Sequence, residues 1–192
     1  MNKHNKEGFS LLELLLVLGI VSALIISAFI IYPKVQTMYR VDKISKTILG
    51  AKSSVQELYQ GKAYYDKGIS NGNLRNIAFP ANTYTSKNNG LPHNDYGGIY
   101  SIQGEYATSF SVSGGFIFSG FSIEVSYVPS ADCQKIVSNL YTSFQAVSVG
   151  DTTVYRQVGE KFGGDRKIEF DRSVIAEACN KEENVTIKFY TL

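Results

Sequence analysis

The chain changes from polar to apolar near residue 9, where a charged stub gives way to a long uncharged run. Residues 14–33, 20 in all, include no charged side chain. A helix of that length is about 30 Å long, enough to cross the hydrocarbon core of a bilayer. Because Pro33 lacks a backbone donor, we expect a bend at residues 29–33. The pattern predicts a membrane-spanning helix over residues 9–33.

Beyond Pro33 the apolar residues recur at intervals of three or four, which is typical of one face of a helix. They are Val35, Met38, Val41, Ile44, Ile48, Ala51, Val55 and Leu58. Lysines, Arg40 and acidic residues lie between them, and Gly61 predicts the end of the helix. We therefore expect one helix over residues 9–60, whose amphipathic half, residues 34–61, packs on the chain's own globular part.

Residues 62–192 are numerous enough for one compact head domain. Residues 61–98 are rich in Gly, Asn, Ser and Tyr and predict a long irregular connection. Aromatic and β-branched residues then predict strands at 99–103, 106–112, 116–125, 152–158, 166–170 and 184–190. Helices are predicted from a Ser130 cap to about Ala146, and at residues 172–179. The expected fold class is α+β, a long N-terminal helix packed on an antiparallel sheet.

Two features of the apolar run bear on its function. Gly19, Ala23 and Ser27 are four residues apart and share one face, which lets another helix approach closely. Glu13 stands at the head of the run, where a carboxylate inside the membrane costs about 2.5 to 3.5 kcal/mol. Glu13 is therefore either at the headgroup boundary, near the positive end of the helix dipole, or paired.

The string Lys6-Glu7-Gly8-Phe9-Ser10-Leu11-Leu12-Glu13-Leu14-Leu15 resembles the processing site of type IV prepilins. The resemblance implies a leader, residues 1–8, that a prepilin peptidase removes between Gly8 and Phe9, followed by methylation of Phe9. It also implies that Glu13 serves subunit assembly. One departure is the position of Pro33, since many members of the family have a proline well inside the apolar half.

Two other membrane-targeting segments could account for the N-terminus. A secretory signal has an apolar region of only about 7 to 15 residues, shorter than this run. A plain signal anchor, oriented by Lys3 and Lys6, remains open on charge alone, since Lys34 and Arg40 follow the span. The family resemblance places the head outside the cytoplasm.

The two cysteines, Cys133 and Cys179, both lie in that head. An oxidising compartment would pair them into a disulfide that bounds residues 133–179, whereas two buried thiols are the alternative. The stretch Pro129-Ser130-Ala131-Asp132-Cys133-Gln134-Lys135-Ile136-Val137 resembles the type IVb subgroup, although the short leader is more usual in type IVa.

Catalytic, cofactor and metal sites are not expected. His4 and His93 are the two histidines, so no catalytic dyad or His/Cys zinc cluster can be assembled. Asp165, Glu169 and Asp171 do not have the spacing of a calcium-binding loop. The net charge of +2 and the lack of a basic tract give no indication of a specific nucleic-acid ligand.

The resemblance predicts the major structural subunit of a type IV pilus, held in the bacterial inner membrane and then part of an extracellular filament. Its expected partners are copies of itself, the prepilin peptidase/methyltransferase, the pilus assembly platform in the inner membrane, and a host or neighbouring cell surface. The implied roles are adhesion, aggregation or conjugative contact. The alternatives are a minor pilin, a type II secretion pseudopilin, or a membrane-tethered enzyme.

Overall fold

The structure is a computed structural model that describes residues 10–62, 65, 69, 74–84, 90–105, 111–112, 115–116, 119–157 and 166–191. The chain divides into two compact units, one that extends up to Tyr39 and one that begins at Arg40. This boundary falls inside the predicted amphipathic segment, because the stripe of helix side chains that is buried in the core of the second unit begins at Val41.

The described α-helices are α1 (Leu11–Leu58), α2 (Arg75–Ala78), α3 (Ser130–Leu140) and α4 (Arg172–Cys179). Short 3₁₀ turns occur at Ala81–Thr83 and Tyr141–Ser143. The strands are β1 (Tyr100–Glu105), β2 (Ser111–Val112), β3 (Gly115–Phe116), β4 (Gly120–Pro129), β5 (Ala146–Val149), β6 (Thr152–Arg156) and β7 (Asn184–Thr191).

Helix α1 is 48 residues long and continues through Pro33. In the second unit it buries one stripe of side chains at the predicted spacing: Val41, Ile44, Ile48, Ala51 and Val55. The predicted long helix and its amphipathic half are therefore present within the described residues. The stripe is part of the head's hydrophobic core.

The main sheet has five antiparallel strands in the order β1-β4-β7-β5-β6. Strand β7 alternates strictly between buried and half-buried positions, which is the pattern of a strand with one face on a core. Ile123 of β4 and Val147 of β5 both face Phe189 of β7 across the ladder. One sheet face thus packs on the helices, and the fold class predicted from the sequence is confirmed.

Three phenylalanines, Phe121, Phe144 and Phe189, are fully buried at the centre of the head. Phe144 and Phe189 have ring centroids 5.0 Å apart in a tilted arrangement, a favourable geometry for an aromatic pair. The Lys52 ammonium of α1 lies 4.8 Å from the Phe144 ring centroid and donates to the Ser143 carbonyl. These contacts join the helix to the end of the Tyr141–Ser143 turn.

Several predicted elements differ from the structure. Helix α3 ends at Leu140 instead of Ala146, and Ala146 begins strand β5. Ser130 is the first helical residue of α3, and the cap position belongs to Pro129.

One strand prediction also differs. The predicted strand at 166–170 is reduced to a single bridge between Ile168 and Arg156. The register of β4 against β7 shifts between Val125 and Val128. Parts of the predicted strands at 106–112 and 152–158 lie outside the described residues.

Cys133 and Cys179 form the predicted disulfide, with their Cα atoms 5.8 Å apart. Both cysteines are fully buried, one in the first half of α3 and the other at the last residue of α4. The bond therefore fixes α4 against α3 and encloses strands β5 and β6.

The loop before β1 is held by a cluster of polar contacts, the Tyr96 clasp, formed by Arg40, Tyr96, Asp132 and Lys135. The Tyr96 hydroxyl donates to the Asp132 carboxylate at 2.8 Å, and the Lys135 ammonium contacts the same carboxylate at 3.1 Å. The Arg40 guanidinium carbon lies 5.7 Å from the Tyr96 ring centroid. The clasp ties the loop to both α1 and α3.

Removing the disulfide should destabilise the head. A Cys133→Ala, Cys179→Ala double variant should lose up to about 4 kcal/mol of unfolding free energy, because the unfolded chain regains the freedom of a loop closed by cysteines 46 positions apart. Denaturant unfolding of the detergent-solubilised full chain measures this loss. The unmutated chain in reductant is the matched control and should unfold at a similarly lowered midpoint. Equal midpoints with and without the bond would contradict the expectation.

The head should lose stability as the pH rises above about 10, the ordinary pKa of tyrosine. Burial, the hydrogen bond to Asp132 and that residue's charge raise the pKa of Tyr96, and burial raises the pKa of Tyr100. Above about pH 10 the unfolded chain releases protons that the folded head retains, so the unfolding free energy falls with pH by at most about 1.4 kcal/mol per unit for each phenol.

The variants Tyr96→Phe and Tyr100→Phe separate these two contributions to the alkaline slope. Each should show a shallower fall in unfolding free energy above pH 10 than the parent chain, measured by denaturant titration at a series of pH values. Tyr96→Phe should also be less stable at neutral pH, by about 1 to 3 kcal/mol, because a hydrogen bond to a charged carboxylate is lost. Parent-like slopes in both variants would refute the assignment.

Candidate functional site

The apolar half of α1 is exposed along its whole length. Among the described residues, α1 is the one helix long and apolar enough to cross a membrane, with a mean hydropathy of 3.0 over an 18-residue window of which none is buried. Leu11 and Phe29 are each 76% exposed. A core helix of a soluble protein would be mostly buried, so this half of α1 needs an apolar environment from outside the chain.

Two serine side chains in this half hydrogen-bond to their own helix. The Ser22 hydroxyl donates to the Leu18 carbonyl at 2.7 Å, and the Ser27 hydroxyl donates to the Ala23 carbonyl at 2.9 Å. In hydrocarbon, where no water is present, each of these donors keeps a partner without help from a neighbour. The two serines are therefore compatible with burial in lipid or among other helices.

The predicted small-residue stripe lies on this exposed half. Gly19, Ala23 and Ser27 are spaced by four residues within continuous helix. A Cβ added at Gly19 would meet no atom within 4 Å, so the face is open around it. A second helix can therefore approach this stripe closely.

Glu13 lies in the first turn of α1. Its amide and that of Leu14 donate to the Ser10 carbonyl at 3.0 and 3.1 Å, so the helical hydrogen bonding starts at this point. Within the part of the chain that the structure describes, no ion pair includes Glu13. The predicted cleavage pair, Gly8 and Phe9, lies outside the described residues.

The other candidate residues have structural partners within the head. The His93 ring nitrogen Nδ1 lies 2.8 Å from the Leu91 carbonyl. The Asp171 carboxylate accepts from the Ser173 hydroxyl at 2.6 Å and, as the cap of α4, from the Ser173 amide at 2.7 Å, and these hydrogen bonds lower its pKa. Glu169 pairs with Lys167 at 2.8 Å. Asp165 lies outside the described residues. Among the residues that the structure describes, no cluster of His, Cys, Asp or Glu side chains could hold a metal ion.

Neither the Tyr96 clasp nor the contacts on the polar sheet face could be predicted from the sequence. On that face, the Ser122 hydroxyl donates to Glu105 at 2.6 Å, and the Lys188 ammonium lies 3.4 Å from Glu105 and 3.9 Å from Glu124. The alternation of polar with apolar residues along β7 is visible in the sequence. The cross-strand partners depend on the order of the strands, which the sequence does not show.

Comparison with protein families finds two matches that together cover most of the chain. Residues 38–192 match the family described as PilS N terminal, and residues 3–29 match the prokaryotic N-terminal methylation motif. A comparison with curated protein sequences finds no match.

Two solved structures share the fold. TcpA, a type IV pilin from the Vibrio cholerae El Tor biotype, aligns with a TM-score of 0.54 at 12% identity, over 80% of this chain and 99% of TcpA. The type IV b pilin from Salmonella typhi aligns with a TM-score of 0.50 at 12% identity, over 77% of this chain and 97% of that pilin.

The family matches confirm the resemblance read from the sequence. Pilins are structural proteins, so the expectation of a non-enzymatic role is confirmed by family membership. Type IV pilins reside in the membrane as prepilins and afterwards in the pilus, and the methylation motif implies processing by prepilin peptidase. This chain therefore belongs to the PilS N-terminal family and is a type IV pilin.

Proposed function

We propose that this chain is the major structural subunit of a type IVb pilus and polymerises through its N-terminal helix. The observation that carries the proposal is the exposed apolar half of α1, uncharged from residue 14 to residue 33, together with a prepilin processing motif. Lipid covers the apolar side chains of this half before assembly, and neighbouring copies of the same helix cover them in the filament. The division that fits this role is a leader at 1–8, a filament-core segment at 9–33, an amphipathic segment at 34–61 and a head at 62–192.

Processing prepares the helix for assembly. The peptidase cleaves between Gly8 and Phe9 and exposes a new ammonium on Phe9, which remains cationic after methylation. Cleavage also removes Lys3 and Lys6, whose charges hold the N-terminus at the cytoplasmic surface. The mature helix can then leave the bilayer at the assembly platform in the inner membrane.

Glu13 neutralises the Phe9 ammonium of an adjoining subunit in this proposal. Two opposite charges about 4 Å apart attract strongly in a low dielectric, yet desolvation cancels much of the gain. The pair therefore contributes little net adhesion. Its effect is to select one axial register, because any other register leaves both charges buried and unpaired.

Adhesion between subunits comes from close helix packing. Lipid tails are as apolar as leucine, so transfer from lipid to the bundle gains little from the hydrophobic effect alone. Shape complementarity at the stripe of Gly19, Ala23 and Ser27 supplies the van der Waals contacts. The disulfide-bonded head faces solvent and contacts a host or neighbouring cell, which suits adhesion, aggregation or conjugation.

The test of the major-subunit role is mass spectrometry of sheared, purified surface filaments. A major subunit is the most abundant chain there and begins at methylated Phe9. A minor pilin would have the same N-terminus at low copy number, and a type II secretion pseudopilin would be missing from surface pili. Either result would replace the proposed role with that alternative.

Replacing Glu13 with Gln should sharply reduce the yield of assembled pili while leaving processing and membrane insertion intact. The amide keeps the shape but cannot neutralise the Phe9 ammonium, so that cation would be buried without a counter-charge. Filament yield after shearing, compared with the amount of processed subunit in the membrane, measures the effect. Glu57→Gln, a loss of an exposed carboxylate on the same helix, is the matched control and should assemble normally. Normal piliation by the Glu13 variant would disprove the register role.

Enlarging the stripe should also impair assembly. Ala23→Leu places a bulky side chain where a second helix must approach, so fewer filaments should form, with the subunit still inserted. Ala28→Leu adds the same group to a different face of the helix and serves as the control. The readout is again filament yield per processed subunit. Equal losses in both variants would point to helix bulk in general and against a specific packing face.

A further inference from the structure

The polar face of the main sheet has a groove of about 390 Å³ that lies across β4, β7, β5 and β6. Eight residues line it: Glu124, Ser148, Gly150, Asp151, Thr153, Thr186, Lys188 and Tyr190. None of these has an aliphatic hydrophobic side chain. The volume is at the low end of the range for small-molecule sites, which are usually apolar.

The strand register builds the floor of the groove. Glu124 faces Lys188 across β4 and β7, Lys188 faces Ser148 across β7 and β5, and Ser148 faces Thr153 across β5 and β6. Four polar side chains thus form one row over four neighbouring strands. The row is rigid, because the alternate residues of these strands are buried in the core beneath it.

The β5–β6 turn forms one end of the groove. Gly150 has a φ of 53°, a conformation that residues with a Cβ rarely adopt. Its amide donates to the Thr186 carbonyl at 2.8 Å, which fixes the turn against β7. Asp151 follows directly, so its position at the groove is set by the backbone.

The charges in the groove distinguish between possible ligands. The Lys188 ammonium already lies 3.4 Å from Glu105 and 3.9 Å from Glu124, so its charge is compensated. Asp151 adds a further carboxylate at the edge. An anionic ligand would meet an excess of negative charge, and an apolar ligand would find little apolar surface.

The hydrogen-bonding groups match a ligand that both donates and accepts. Carboxylate oxygens accept, the Lys188 ammonium donates, and the hydroxyls of Ser148 and Tyr190, 3.4 Å apart, can do either. The Tyr190 ring adds an aromatic surface suited to the C–H groups of a sugar ring. Its phenol oxygen lies close to the Ser148 hydroxyl, and its ring centroid is 5.8 Å from the Lys188 ammonium.

We propose that this groove binds a neutral pyranose unit of a glycan. Sugar hydroxyls donate to Asp151 and Glu124 and accept from Lys188 and Thr153, while the ring lies over Tyr190. The inference goes beyond assembly of the filament and does not depend on it, since all of these residues belong to the head. It assigns a chemical class to what the head contacts.

The test is saturation-transfer NMR and titration with the full chain in phosphocholine detergent, which has no sugar head group. The probes are the methyl pyranosides of glucose, galactose and mannose, N-acetylglucosamine, and two anions, N-acetylneuraminic acid and inorganic phosphate. At least one neutral pyranoside should bind with saturation, and the anions should not. Binding of the anions alone, or of no probe, would overturn the proposal.

Two conservative variants locate the binding. Asp151→Asn and Thr153→Val each remove one hydrogen-bonding function at the groove and should weaken the neutral sugar about two- to tenfold. Glu177→Gln, an exposed carboxylate on α4 outside the groove, is the control and should bind like the parent. Unchanged affinity in both groove variants would place the sugar elsewhere and overturn the assignment. Because Asp151 and Thr153 are not core residues, their substitution should leave the denaturation midpoint near that of the parent.

Discussion

The first half of α1 must be covered by something other than its own chain, and the rest of the structure is organised around that requirement. Its apolar side chains are exposed on all sides, far beyond the patch that a soluble monomer tolerates. Helix is the conformation that satisfies every backbone group without outside help, so the same segment is stable in lipid and in a bundle of helices. The inward bonds of Ser22 and Ser27 extend this self-sufficiency to the side chains.

Helix α1 continues past Arg40, but from there onward only one side of it has to be covered. Here the apolar positions narrow to one stripe, and Val41, Ile44 and Ile48 are buried in the head's core. The change is visible as a change of periodicity, from apolar on every side to apolar at every third or fourth residue. One helix therefore has two apolar surfaces with different partners, and only the second is covered by the chain itself.

Long periodic elements could be predicted from the sequence, whereas short elements could not. Helix α4 was predicted at its observed bounds and α1 within two residues at each end, because each has several turns of consistent pattern or a clear cap. Strand β5 was missed, since its four residues are all buried and show no alternation. The Tyr141–Ser143 turn continues the helical spacing of α3, so the predicted end of α3 lay too far along the chain.

Contacts that depend on the order of the strands or on the position of a loop also could not be predicted from the sequence. Tyr96 and Asp132 are 36 residues apart, and Tyr96 lies in a Gly- and Asn-rich loop with no regular pattern. The row of Glu124, Lys188 and Ser148 exists only because β7 lies between β4 and β5. The disulfide, in contrast, followed from the compartment that the family resemblance implied, since the chain has two cysteines and one way to pair them.

The first turn of α3 connects the covalent and the polar restraints of the head. Asp132 and Cys133 are consecutive residues of this turn. The Tyr96 clasp holds the turn to the loop before β1 through Asp132, and the disulfide holds it to α4 through Cys133. Strand β4 leads into the same turn at Pro129, and α4 is followed closely by β7. Strands β4 and β7, which are neighbours in the sheet, are therefore anchored at one end by bonds within the head, none of which includes the apolar half of α1. A head restrained in this way keeps its polar sheet face whether the helix lies in lipid or among other helices, which a subunit that moves from membrane to filament requires.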